Sequence, residues 1–364
     1  MNLPSTPRPL GNLGQRVDDI RGKWWIDRTI SPLPIEAVVP LEETRDVLLL
    51  CSRMIRHFDS KLNLQELALA HELAERGRQF AITHDLRTVF DKSVIWVLPN
   101  HLVWPPLWDY SRQVREFAIG VERQGNSLLC SSGELAYWEN KGTMHTRFSE
   151  FGVPTPQTKI INVENRDTVE FDIEPVILKD EHSAGSAGIH YFDTADGARK
   201  FVKNRQFRPA ESLIMQELVR GATKDLRLTM VGDQMIRSAT FWRKKSPAAL
   251  SSGRWTTTAS KYGSSIEHED IPEEVVPIVA AYLRSLGMRT AGIDLMWVDD
   301  DVSRPPLVLE VSPYFQPNPP KPDRYAHWTY KQYKEKPYVK DGYLLQQYRV
   351  FREMAAHILE QQLF

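Results

Sequence analysis

Residues 291–313, Ala-Gly-Ile-Asp-Leu-Met-Trp-Val-Asp-Asp-Asp-Val-Ser-Arg-Pro-Pro-Leu-Val-Leu-Glu-Val-Ser-Pro, constrain this chain more than any other stretch. Two apolar runs, Ile293–Val298 and Leu307–Val311, flank a polar segment rich in aspartate and proline, the pattern of a strand, a turn and a strand. Each run carries one acid among apolar neighbours, Asp294 in the first and Glu310 in the second. Paired antiparallel about a turn near Val302, the two acids fall opposite each other. Ser312, two residues beyond Glu310, shares their face because strand side chains alternate with period two. Like charges placed directly opposite repel, so a positive group between them is expected. A hard divalent cation is the simplest such group, and magnesium typically takes one or two carboxylates plus substrate phosphates. An edge hairpin with both acids facing solvent accommodates the same residues.

The 364 residues are enough for roughly two or three domains. A hydrophobic share of 41% and a charged share of 26% are those of a globular protein. The net charge of −1 leaves no electrostatic footprint for nucleic acid. The sequence has no apolar run long enough to span a membrane and no apolar signal core at its start, so a cytoplasmic protein is expected. Cys51 and Cys130 sit in or beside apolar runs and read as small core residues.

From about Asp46 the pattern predicts strands at 47–51, 80–82, 94–98 and 127–130, with helices over 63–78, 108–123 and 133–139. Alternation of this kind predicts a parallel sheet. None of these strands is followed by a glycine-rich dinucleotide fingerprint, so no NAD site is expected there. A helix from Asn140 closes at Gly152. Strands follow at 158–162, 168–171, 175–179 and 189–192. Lys179 ends the third of these, before a loop of small residues that includes Ser183, Gly185 and Ser186. Backbone N–H groups in such a loop can approach an anion closely, and phosphate is the natural guest; a flexible hairpin tip explains the loop as well.

The run 212–219 predicts a further strand, interrupted by Gln216 and Glu217. A hairpin follows with Gly232-Asp233 at its turn. Its second strand places Arg237, Ala239, Phe241 and Arg243 on one face by period two, two cations that suit anionic oxygens or are simply at the surface. Helices are expected over 272–286 and 344–363.

Taken in order, these pieces resemble the ATP-grasp superfamily over about residues 136–318. Lys141 stands before a helix ending in Gly-Val-Pro-Thr-Pro, and Lys179 ends Pro-Val-Ile-Leu-Lys before the small-residue loop. Gln-Glu-Leu-Val (216–219), Asp-Leu-Arg (225–227) with Val-Gly-Asp, and Ala-Gly-Ile-Asp…Leu-Glu-Val-Ser-Pro complete the series. The branch it most resembles ligates amino acids to carboxylates and includes ribosomal-protein glutamate ligases and glutathione synthetase-like enzymes. The resemblance implies an α/β and α+β chain: an N-terminal segment and βα pre-domain (1–135), a small lid-bearing subdomain (136–215), and a C-terminal subdomain ending in a helix (216–364).

It also implies an ATP site. Lys141 and Lys179 would contact the α- and β-phosphates, with Ser183, Gly185 and Ser186 in the phosphate loop. The backbone at Glu217 and Val219 would meet the adenine edge, with Gln216 or Glu217 reaching its amino group, and Asp225 would hold the ribose. Asp294, Glu310 and Ser312 would carry one or two Mg²⁺ ions. Arg227 would lie close to the phosphates, with Arg243 and then Arg237 beside the transferred group. Arg254, in the polar loop 251–258, would bind the carboxylate, which a guanidinium matches in bidentate fashion. The family usually has asparagine at the position of Ser312, and the acidic triplet Asp299–Asp301 reads as a solvated turn outside the metal site.

The expected reaction phosphorylates a carboxylate to an acyl phosphate that an amine then attacks. A kinase of the same superfamily and a non-catalytic nucleotide-binding protein are the competing readings. The expected partners are small-molecule or peptide acids and amines, with a homo-oligomer plausible.

Overall fold

The computed structural model describes residues 30, 34–40, 47–50, 64–83, 95–97, 107–137, 140–183, 188–208, 211–245, 265–313, 317–335 and 342–361. The chain divides into two compact units, residues 1–132 with 316–364, and residues 133–315.

In the first unit, β1 (Val47–Leu50), β2 (Phe80–Thr83), β3 (Ile95–Val97) and β4 (Leu128–Leu129) form one sheet in the order β2-β1-β3-β4. Every pairing in it is parallel. Helices α1 (Leu64–Glu75) and α2 (Leu107–Glu122) make the crossovers that parallel strands require, as the alternation predicted.

The second unit opens with α3 (Lys141–Glu150) and β5 (Thr158–Asn162), β6 (Val176–Asp180), β7 (Ile189–Phe192), α4 (Ala195–Asn204) and β8 (Ser212–Glu217). The strands pair antiparallel in the order β5-β8-β6-β7. One face of this sheet packs Ile161, Val176, Leu178, Leu213 and Met215 against Ala198 and Val202 of α4. Helix α4 was not expected from sequence, although Thr194 caps it by accepting from the Gly197 N–H and apolar residues recur at 195, 198 and 202. Residues 168–171 form no strand.

A larger sheet follows, built from β9 (Lys224–Val231), β10 (Gln234–Met235), β11 (Phe241–Lys244), β12 (Ser265–Glu267), β13 (Thr290–Met296) and β14 (Leu307–Ser312), with α5 (Val276–Ser285) between β12 and β13. Its order is β12-β11-β9-β13-β14, with β10 paired to β9, and all pairings are antiparallel. Period-two alternation divides the faces. Leu226, Leu228, Met230, Trp242, Ile293, Leu295, Val308 and Val311 join Val279 and Leu283 in one core, where each large side chain contributes about 1.5–3 kcal/mol by leaving water. Asp225, Arg227, Thr229, Arg243, Asp294, Glu310 and Ser312 are left on the other face. A bulge in β14 beyond the Asp294–Glu310 pair brings Val308 opposite Leu295, so the core face is kept while Glu310 stays opposite Asp294.

The C-terminal segment contains α6 (Tyr330–Glu335) and α7 (Tyr343–Glu360). Helix α7 packs on α1, where the Tyr348 hydroxyl lies 2.9 Å from His71 Nδ1 and Arg352 pairs with Glu72 and Glu75 at 2.6 Å each. Residues 316–364 therefore belong with the first unit, whereas the sequence grouped this helix with 216–315. The apolar stripe of α7 meets the complementary face of α1, a pairing no local pattern reveals.

Candidate functional site

Lys141 is set in place by the start of α3. The Asn140 side chain caps the helix by accepting from the Thr143 N–H at 3.0 Å, which satisfies a helix-end donor. The Lys141 backbone N–H donates to the Glu181 carbonyl at 3.1 Å, and its Nζ donates to the carbonyl of Ser183. Gly142 permits this approach, since a Cβ there would lie 2.6 Å from Glu181 Oε1 and 2.7 Å from Ser212 Oγ. Gly142→Ala is expected to cost about 1–3 kcal/mol through overpacking, read as a lower denaturant midpoint. An unchanged midpoint would show that this junction yields freely.

Lys179, next to last in β6, is buried. Its Nζ donates to Gln216 Oε1 at 2.6 Å, and Gln216 Nε2 donates to Thr158 Oγ1 at 2.9 Å. The register explains the first bond: Lys179 lies opposite Ile214 and Ile177 opposite Gln216, so Lys179 and Gln216 are diagonal neighbours on one face. Burial lowers the Lys179 pKa to about 8; Glu310 and Asp294 pull it up and Lys141 pushes it down.

Across the large sheet runs a single rung, Phe241 opposite Arg227, Arg227 opposite Asp294, and Asp294 opposite Glu310. Arg227 Nη2 donates to Asp294 Oδ2 at 2.8 Å and its Nε donates to Oδ1, a bidentate pair. Arg243 Nη2 reaches Asp294 Oδ2 at 2.9 Å and its Nε donates to Asp225 Oδ2 at 2.5 Å. Burial by itself would push the Asp294 carboxyl up, but the Arg227 and Arg243 guanidiniums hold it below the usual carboxylate range. Asp225 is raised, because its burial and the nearby Asp294 outweigh the pull of Arg243. Arg243 itself is raised, its burial overcome by the two aspartates.

The positive charge expected beside Asp294 is therefore present as two guanidiniums. The Glu310 side chain, half-buried, makes no hydrogen bond or ion pair among the described residues. Ser312 is buried on the same face, opposite Gly292. Two carboxylates and a hydroxyl are hard oxygen donors of the kind magnesium takes; both oxygens of Asp294 are engaged by the guanidiniums, so Glu310 is the acid of this set left to meet an added cation. The described residues contain no cluster of three His, Cys, Asp or Glu able to hold a metal by themselves. Any ion here would complete its shell with water or substrate oxygens.

Other residues expected at the site fall into three groups. Val219 is buried, packed with Ala222 against Met296 and Leu307, and Glu217 donates its N–H to the Gln157 carbonyl at 3.0 Å. Ser183 is buried, with its hydroxyl donating to the Asp180 carbonyl at 2.9 Å. Gly185, Ser186 and Arg254 lie outside the described residues. Arg237 departs from expectation: residues 237–239 form a 3-10 turn instead of a strand, and its exposed guanidinium pairs with Glu273 at 2.5 Å. It therefore does not share a strand face with Arg243, because β10 ends at Met235 and pairing resumes only at Phe241.

His145 was overlooked in the sequence. It is buried on α3, with neither ring nitrogen hydrogen-bonded, and stacks edge-on with Phe148 at 5.4 Å. Burial lowers its pKa to about 3, with Lys179 and Lys141 adding to the effect, so it is neutral at physiological pH. Its place four residues after Lys141, on the same helix face, was the available signal.

No protein-family model matches the chain, and no curated protein matches it in sequence. In fold the chain is similar to several solved structures at low sequence identity. One is D-alanine–D-alanine ligase from Bacillus anthracis complexed with ATP, with 13% identity, TM-score 0.49, and 85% of this chain and 98% of that chain covered. Another is a RimK domain ATP-grasp protein from Sphaerobacter thermophilus, with 14% identity, TM-score 0.47, and coverage of 74% and 90%. A third is the ATP-grasp ligase PsnB complexed with a minimal precursor, with 13% identity, TM-score 0.48, and coverage of 75% and 91%.

Proposed function

We propose that this chain is an ATP-dependent ligase that joins a carboxylate to an amine through an acyl phosphate. The observation that carries the reading is the rung Arg227–Asp294–Glu310 on one sheet, whose two acids favour the charged form of the buried Lys179 near the end of β6. Such a face neutralises a polyphosphate and leaves one acid free for its metal.

Lys141 and Lys179 are assigned to the phosphates, and Arg243 and Arg227 to the group in transfer, with Asp294 and Asp225 holding those guanidiniums in fixed positions. Preorganised cations of this kind stabilise charge that develops on the phosphoryl oxygens. Glu310, with Asp294 and Ser312, would hold magnesium, which when bound would offset phosphate charge. The amide of Gln216 is engaged at both ends, so the adenine amino group is assigned to Glu217 and the ring edge to the backbone at Val219. In the first step a substrate carboxylate oxygen attacks the γ-phosphorus and the bond to ADP breaks. In the second the amine attacks the acyl carbon, phosphate leaves, and the nitrogen loses a proton. The acid and the amine are of small-molecule or peptide type.

Release of ADP and phosphate that requires an acid and an amine together is the expected outcome. A phosphorylated product formed without amine would replace this reading with a kinase, and nucleotide binding without turnover of any acid would replace it with a binding protein.

A further inference from the structure

The acidic turn after β13 is more than a solvated connection. Asp299 donates its N–H to the Arg220 carbonyl at 2.9 Å. Asp300 accepts the Thr223 N–H at 2.9 and 3.1 Å and also the Thr223 hydroxyl. Both aspartates hold left-handed backbone, with φ of 56° and 55°, a region that L-residues seldom enter and Asp tolerates better than most. Gly221, at φ 68°, faces them so closely that a Cβ would lie 2.1 Å from Asp299 Oδ1 and 2.9 Å from its Cα. No larger residue fits there. Apolar contacts extend the junction, since Val219 and Ala222 form one cluster with Met296, flanked by Val298, Leu307 and Leu309. The loop is itself anchored, with Trp297 Nε1 donating to the Arg304 carbonyl at 2.9 Å and the Trp297 ring 5.6 Å from Trp242.

Segment 219–223 thus rests on the hairpin whose strands carry Asp294 and Glu310. We infer that Asp300, bonded to Thr223, is a positioning residue for the purine end of the site. The inference rests on the nucleotide assignment above, in which the backbone at Glu217 and Val219 meets the adenine. Asp300 is assigned no contact with the nucleotide and acts on the base through the 219–223 segment. Its loss should weaken recognition of the base while leaving the phosphate end, at Lys179 and Glu310, unchanged.

The test is calorimetric titration of the full chain with ATP and, separately, with inorganic tripolyphosphate, both with Mg²⁺. Asp300→Ala is expected to lower ATP affinity about tenfold, the loss of one well-made hydrogen-bonded junction, with tripolyphosphate affinity unchanged. Thr223→Val, at an exposed position, should show the same split with a smaller ATP effect, and it carries the comparison if the alanine variant does not fold. Unchanged ATP affinity, or equal losses for both ligands, overturns the inference. A wild-type chain that binds tripolyphosphate but not ATP brings down the nucleotide assignment as well, a result visible before any variant is made.

Discussion

Glu310→Ala is expected to lower ATP turnover by about 10²–10³-fold, the range for loss of a group that stabilises transition-state charge, and to leave the unliganded protein folded with only a small drop in melting temperature. The two halves of this result have one cause. The Glu310 side chain forms no hydrogen bond or ion pair among the described residues, so its removal leaves no buried donor unpaired, and it takes one favourable charge from the buried Lys179. Glu310 also stands opposite Asp294, and like charges so placed repel. Thermal melting in a chelating buffer, beside an ADP-release assay, reads both halves. Near-normal turnover would remove Glu310 from the metal site, and a large drop in melting temperature would make it structural.

Lys179→Met is expected to weaken ATP binding about tenfold to a hundredfold, the effect of losing a hydrogen bond from a charged donor. Its effect on stability follows from linkage. The folded-state pKa of about 8 lies below the unfolded value near 10.5. Between those values the unfolded chain holds a proton that the folded chain has released. Wild-type stability therefore rises with pH across that window, by roughly 3 kcal/mol in total, and is flat below it with respect to this group. The variant should lack the rise. At pH 7 relief from the buried ammonium offsets the roughly 1–3 kcal/mol cost of leaving Gln216 Oε1 without its donor, so the two proteins should melt within a few degrees. Denaturant titrations at pH 7 and pH 9.5 check this, and an equal pH response in both proteins would contradict it.

The hairpin at 291–313 was legible because its acids interrupt two apolar runs, and a period of two then fixes which residues face each other. The parallel sheet of the first unit was legible for the same reason: strand and helix periods alternate with little ambiguity. What stayed hidden depends on contacts far apart in sequence. Nothing near Asp294 indicates that Arg227 and Arg243 would occupy its oxygens, because that pairing is set by the register of three strands. Arg237 misled because period two was extended through a segment that leaves the sheet in a 3-10 turn. Asp299 and Asp300 resembled any polar turn, and their role appears only once residues 220–223 are seen packed against them. The C-terminal helix was predicted within a few residues of its ends, but its partner, α1, lies far away in sequence.

The most direct test of the central claim is titration of the wild-type chain and Glu310→Ala with a non-hydrolysable ATP analogue, each with and without Mg²⁺. If the face carrying Asp294, Glu310, Arg227 and Arg243 holds a magnesium–nucleotide complex, the wild type binds the analogue more tightly with Mg²⁺ and Glu310→Ala loses that gain while still binding the metal-free analogue. Absence of nucleotide binding in the wild type, or an equal response to Mg²⁺ in both proteins, would contradict it.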